Sequence, residues 1–280
     1  MKLSHHCRMV NCLAGTLALF SVFFSCAITQ AADDHIGDWV SMRTSIQSGI
    51  LQEERPIRIH LPRKYELSGG RYPVLFVLDA DQEDLFKYAV RDAGLLADRG
   101  EIPAMIIVGI ENTNRLRDMN VPDFEYQGEA VVGGAGKFLD FIKEELVPYI
   151  DEKYRTSHPK IVFGGSASAT FSIFAMVSRP AVFDAYIASS PSFFVNEKLI
   201  DQYSRNFFSG SESLDRVFFM NLGTEDTAKR VRQTKAYAVL VERLAPPEFK
   251  WELRVMDGLG HVPKTSLEDG LEMVFGHIAE

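Results

Sequence analysis

The chain is 280 residues long and carries 30 lysines and arginines against 38 aspartates and glutamates, a formal net charge of −8. An acidic chain without a basic tract is a poor partner for nucleic acid. The length allows one substantial α/β core. All three cysteines (Cys7, Cys12 and Cys26) fall within the first 30 residues, which excludes a disulfide framework and thiolate chemistry from the remainder.

Those first residues have a pattern of their own. Lys2 and Arg8 precede an almost wholly apolar or small stretch from Val10 to Ile28, and Thr29-Gln30-Ala31-Ala32 offers a small-residue cleavage site. The pattern predicts a signal peptide over residues 1–31 and a periplasmic or secreted protein. A retained membrane anchor is the alternative, because the stretch is nearly long enough to span a bilayer. Lipidation at Cys26 fits less well, with Phe23-Phe24 before it. Cleavage near Ala31 leaves 28 basic residues against 38 acidic ones, so the net charge falls from −8 to −10. Residues 32–280 contain no repeat, low-complexity tract or Pro/Gly-rich linker and read as a single domain.

Residues 33–56 read as a lead-in with Trp39 and Ile50-Leu51 as anchors. Pro56 to Pro62 alternates apolar and polar and predicts a half-exposed strand, with His60 on its surface phase. A turn follows at Ser68-Gly69-Gly70. Pro73 to Leu78 is uninterrupted and apolar, as in a strand covered on both faces, and runs into Asp79. A helix is predicted over 83–99, a second buried strand over 104–110, and then a long polar loop from Glu111 to Gly136. Lys137 to Ile150 is a helix by the spacing of Phe138, Phe141, Ile142, Leu146 and Ile150.

Lys160 to Phe163 is a strand running into the small-residue cluster Gly164-Gly165-Ser166-Ala167-Ser168-Ala169. An amphipathic helix around Phe171–Met176 follows and ends near Pro180. Further strands are predicted at 185–188, 217–222 and 250–256, with helices over 228–244 and 266–278. The alternation predicts an α/β fold, a mostly parallel central sheet with helices on both faces. In such sheets functional groups gather past the carboxyl ends of the strands.

Strand, tight turn and helix with a serine at the apex is the context of a nucleophile elbow. Side chains two places to either side would clash there, and Gly164 and Ser168 are both small. The same residues also read as an ordinary strand-to-helix loop with Ser168 as helix N-cap. The later strand ends separate the two readings. Past residue 222 come Glu225 and Asp226, and past 256 comes His261. A serine, an acid and a histidine in that order, each on its own strand-end loop, is the α/β-hydrolase arrangement of a catalytic triad. Histidine titrates near neutrality and can take the serine proton, and the acid holds its tautomer. Asp226 is preferred over Glu225 for the acid because it sits where the loop turns back toward the sheet. Ala167 N–H and an N–H of the Asp79-Ala80-Asp81 loop are the candidate oxyanion donors. Such a site needs neither metal nor cofactor.

With these residues in place the chain resembles the esterase branch of the α/β hydrolases that includes enterochelin-type siderophore esterases, S-formylglutathione hydrolases and antigen 85 mycolyltransferases. The resemblance runs from about residue 50 to 278. It is carried by Tyr72-Pro73-Val74-Leu75-Phe76-Val77-Leu78-Asp79, Arg115-Leu116-Arg117-Asp118, Glu145-Leu146-Val147-Pro148-Tyr149-Ile150-Asp151, the elbow, Ser189-Ser190-Pro191-Ser192 and His261. It implies an α/β-hydrolase fold and a serine esterase with Ser166, Asp226 and His261 as triad. It also implies oxyanion N–H groups from Asp81 and Ala167, and Arg115 and Arg117 near a small-molecule ester, either of which could instead pair with Asp118. Two departures stand out. Asp79-Ala80 replaces Asp-Gly, and Gly165, Ser168 and Ala169 replace three residues of Gly-His-Ser-x-Gly-Gly. The same fold could therefore serve as a binding protein without turnover, or as an acyltransferase.

Overall fold

A computed structural model describes residues 41–210 and 215–278. The predicted leader (residues 1–31) and the Trp39 anchor lie outside the described residues. No described helix is long and apolar enough to cross a membrane.

The interior strands are apolar on both phases because both faces of the sheet are covered. In β3 (Tyr72–Val77), Val74 and Phe76 enter one core while Leu75 and Val77 enter the other, and all four are fully buried. This is period two with no polar phase. On one face the strands meet α1 (Glu83–Asp98) and α8 (Ser266–Ile278) through Phe86, Ala93, Leu96, Leu271 and Val274. The other face is covered by α3 (Ala135–Phe141), α5 (Ala167–Ser178), α6 (Glu197–Ser209) and α7 (Ala228–Leu244). The helix begun by α3 runs on through a π-helical turn at Ile142–Leu146 into α4 (Val147–Lys153).

Eight strands form the main sheet. The others are β1 (Ser41–Ser48), β2 (Glu53–His60), β4 (Ile106–Ile110), β7 (Thr156–Gly165), β8 (Ala185–Ser189), β9 (Val217–Gly223) and β10 (Lys250–Met256). Their order is β1-β2-β4-β3-β7-β8-β9-β10. β1 pairs antiparallel with β2 and β2 with β4; every other pairing is parallel. This is the α/β-hydrolase sheet. The order reverses around β3: the chain steps from β3 to β4 on one side and then crosses to β7 on the other. The crevice past their carboxyl ends is the place such sheets use for ligands.

Four local readings of the sequence change. The lead-in contains β1, whose polar residues hid an edge strand: Arg43 and Thr44 are exposed. His60 is not a surface residue but 1 % exposed, because the end of β2 lies beside Val90 and Ala93 of α1 and its Nδ1 meets Ser41 Oγ at 3.1 Å. The long polar loop holds the short α2 (Arg115–Asp118) and a hairpin of β5 (Phe124–Tyr126) and β6 (Glu129–Val131). Finally, α5 is not amphipathic. Ten of its twelve residues are buried, so it is apolar on every side and sits in the middle of the molecule.

Candidate active site

Ser166 stands between β7 and α5 at φ 62 and ψ −119, a left-handed conformation that costs an L-residue about 1–3 kcal/mol. The chain turns there without room to spare. A Cβ on Gly164 would lie 2.4 Å from the carbonyl oxygen of Ser168, closer than real contacts allow. The turn is held by the Ser166 N–H donating to Ser189 O (2.9 Å) and the Ser192 N–H donating to Ser166 O (3.0 Å). Helix α5 starts at Ala167, so Ser168 lies within its first turn and is not its N-cap. The N–H of Ala167 has no helical acceptor and lies at the positive end of the helix dipole.

Asp226 follows β9 and His261 follows β10, and backbone contact draws their two loops together. They touch at Gly223, where a Cβ would meet Leu259 O at 2.1 Å and Gly260 O at 2.3 Å. The N–H groups of Thr224 and Glu225 donate across the gap to Met256 O (3.0 Å) and Leu259 O (2.9 Å). With the loops so joined, His261 Nδ1 lies 2.8 Å from Asp226 Oδ2. The carboxylate is 2 % exposed and the imidazole 38 %. Burial alone would push the Asp226 carboxyl up, but hydrogen bonds from His261, the Thr227 N–H and Arg230 outweigh it and hold the group below the usual carboxylate range. Glu225 is exposed. The His261 loop also reaches the serine turn. Val262, at φ 50, donates its N–H to Ser190 Oγ (3.1 Å), and its methyl groups come within 3.1 and 3.2 Å of where a Cβ on Gly165 would be.

The β3 loop carries Asp79 at φ 57, with its carboxylate buried. Arg115 grips that carboxylate through Nε (2.8 Å) and Nη2 (2.7 Å). Asn112 donates to Asp79 Oδ1 (2.8 Å) and to Asp81 Oδ1 (2.6 Å), and its N–H also donates to Asp81 Oδ1 (3.1 Å). The Asp81 carboxylate is thus held by Asn112, and among the described residues its N–H donates to no acceptor. Arg117 is bound elsewhere. It donates to Asp118 Oδ1 (2.6 Å) and to both oxygens of Glu53 (2.9 Å each). Buried Asp118 also receives Arg55 Nη2 at 2.8 Å.

Sequence reading had passed over several of these neighbours. Arg230, four residues after Asp226 in the first turn of α7, could have been found from its i,i+4 spacing. The contacts of Asn112, Ser190 and Val262 are long-range and carry no local signal. Among the described residues, no group of three or more His, Cys, Asp or Glu side chains could hold a metal ion.

Residues 48–236 match the family described as "Putative esterase". The chain belongs to this esterase family. Its curated relatives include the ferri-bacillibactin esterase BesA of Bacillus subtilis, 32 % identical over a 213-residue alignment that covers 68 % of this chain and 74 % of that one. Among solved structures, an IroE-like serine hydrolase from Shewanella oneidensis has a TM-score of 0.78 at 26 % identity, covering 86 % of this chain and 81 % of its own. The siderophore hydrolase EstA of Aspergillus nidulans shares the fold at a TM-score of 0.72 and 21 % identity, over 87 % and 95 % of the two chains. The esterase is accordingly a carboxylic ester hydrolase.

Proposed function

We propose that this esterase works through an acyl-enzyme formed on Ser166. The observation that carries the reading is the strained turn at Ser166 together with the 2.8 Å His261–Asp226 pair, whose histidine loop packs against that turn through Val262. With Nδ1–H directed at Asp226, the imidazole keeps Nε2 as the free base. It takes the Ser166 proton as Oγ attacks the ester carbonyl, then returns that proton to the leaving alcohol. The anionic intermediate is met by the N–H groups of Asp81 and Ala167. Losing one such donor typically costs roughly 3–4 kcal/mol of barrier. Water then attacks the acyl-enzyme by the same steps in reverse order, releasing the acid. Arg115 is paired with Asp79 of this loop and keeps 35 % of its side chain exposed, which supports its reading as the guanidinium that meets a substrate. Arg117, spread over Glu53 and Asp118, serves as a structural ion pair.

The substrate class we infer is a siderophore ester, in line with what the BesA relative is named for. The export signal read over residues 1–31 agrees with an enzyme that meets such compounds outside the cytoplasm. Replacing Ser166 with Ala tests the chemistry: hydrolysis of a short-chain p-nitrophenyl ester should drop to background, and a fluorophosphonate should no longer label the protein. Unchanged turnover in that variant rejects the mechanism. A parallel screen of trilactone siderophores, feruloylated sugars and simple acyl esters tests the substrate, and a clear preference for either of the latter two overturns it. The exported protein should begin near Ala32, and an intact leader in the membrane fraction would instead favour an anchor.

A further inference from the structure

One hydroxyl outside the triad touches both halves of the site. Ser168 Oγ accepts a hydrogen bond from the N–H of Gly165 (3.0 Å), the residue immediately before the nucleophile. It also lies 2.8 Å from Asp79 Oδ2 and 2.8 Å from Gly165 O. A hydroxyl has one proton to give, and an ionised carboxylate is a stronger acceptor than a peptide carbonyl, so the proton belongs chiefly to Asp79. The Asp79 carboxylate then holds four hydrogen bonds from three segments. Asn112 supplies one from the end of β4, Arg115 two from α2, and Ser168 one from the first turn of α5. Ser168 is fully buried and Asp79 is 1 % exposed, so water does not compete for these bonds.

We propose that Ser168 is a positioning residue of the reaction, which acts through Asp79 to set the spacing of the two oxyanion donors. The proposal rests on the reading of Ser166 as nucleophile and of Asp81 and Ala167 as donors. Those donors sit on separate elements. Ala167 belongs to α5, while Asp81 sits in a turn closed on Asp79 itself by the Gln82 N–H donating to Asp79 O (3.0 Å), on a loop also held by the Ala80 N–H donating to Ile110 O (3.0 Å). Stabilising an oxyanion requires both N–H groups at roughly 2.7–3.1 Å from one point. A glycine at 168, usual in this family's elbow, makes no link between α5 and the β3 loop. In this chain the serine makes one.

The test compares the full-length native protein with Ser168→Gly and Asp79→Asn. It measures kcat per fluorophosphonate-titrated site, KM for a p-nitrophenyl ester, affinity for a trifluoromethyl ketone whose hemiketal oxyanion fills the hole, and melting temperature. Ser168→Gly should lower kcat and ketone affinity together by about tenfold to a hundredfold, the scale of an ångström of misplacement, with KM within about twofold. In the double variant the loss should not exceed that of Asp79→Asn alone, because both substitutions cut one link. If Ser168→Gly matches the native protein in kcat per site and ketone affinity while Ser166→Ala is inactive, the positioning role is wrong and the mechanism stands. If Ser166→Ala keeps its turnover, the mechanism itself has failed. Should Ser168→Gly not fold, Asp79→Asn decides alone: a loss confined to the number of titratable sites, with kcat per site unchanged, overturns the proposal.

Discussion

Replacing Gly223 with Ala should disable the enzyme without unfolding it. The added methyl would lie 2.1 Å from Leu259 O and 2.3 Å from Gly260 O, both backbone atoms that no side-chain rotation can move. Real Cβ contacts essentially never fall below 3.0 Å, so the β9 and β10 loops must part by about 0.9 Å. That movement acts directly on the 2.8 Å His261–Asp226 hydrogen bond, and such a bond weakens quickly beyond roughly 3.2 Å. An ångström of misplacement costs on the order of a hundredfold in rate, or about 2.7 kcal/mol of barrier. The fold should lose less. The two cross-loop bonds from Thr224 and Glu225 are worth about 1 kcal/mol each, a fraction of the stability of a domain this size. The assay pairs kcat/KM on a p-nitrophenyl ester with a urea titration of the same sample. Gly260→Ala is the matched control: it adjoins His261, yet a Cβ there meets nothing within 4 Å. A Gly223→Ala enzyme within about threefold of native activity, or a Gly260→Ala enzyme equally impaired, would refute the idea that backbone contact at Gly223 aligns the acid and the base.

Arg230→Gln removes one of the groups holding the Asp226 carboxyl low while burial continues to push it up. The loss of kcat/KM that follows protonation of Asp226 at low pH should therefore begin at higher pH, and an unmoved onset would show that Arg230 does not hold that carboxyl low. Phe171→Ala, in the buried helix behind the elbow and 5.1 Å from the Phe138 ring, should cost about 3–5 kcal/mol in a urea titration. A loss under about 1 kcal/mol there would mean that the site collapses around the cavity. Burial pulls His60 down from 6.5 to about 4, so the unfolded chain takes up that proton first as the pH falls. The stability from keeping His60 neutral is complete above pH 6.5 and is lost between 6.5 and 4, amounting to about 3 kcal/mol. His60→Leu should flatten that part of the stability curve, and an identical slope in the variant would assign the pH dependence elsewhere.

What was legible in the sequence follows from how local its cause is. The boundaries of α7, β10 and α8 agree residue for residue with the periodicity over 228–244, 250–256 and 266–278, because packing on one side leaves a clean pattern. The strand ends fixed which loops could carry a site. Where environment rather than pattern decides, the reading went astray. The polar edge strand β1 has no apolar stripe to announce it, and α5 carries apolar residues all round because neighbours surround it. His60 looked like a surface residue because alternation says which phase a side chain is on, and not whether a helix covers that phase.

The elbow shows the same limit most sharply. Read singly, Gly165, Ser168 and Ala169 are departures from the family pattern that suggest an eroded site. In three dimensions two of them have partners from distant loops. The missing side chain at 165 leaves the space that Val262 enters, directly after the imidazole. The hydroxyl gained at 168 finds the carboxylate of Asp79, whose residue is itself followed by an alanine where the family has glycine. Ala169 is fully buried, where a small side chain suits the close approach of α5 to Gly164. The changes at 165 and 168 are legible only beside their partners, which are 97 and 89 residues away, so no window of local sequence could have joined them. A substitution that looks like loss in a motif can be half of a contact, and the physical test of which it is lies in the pair.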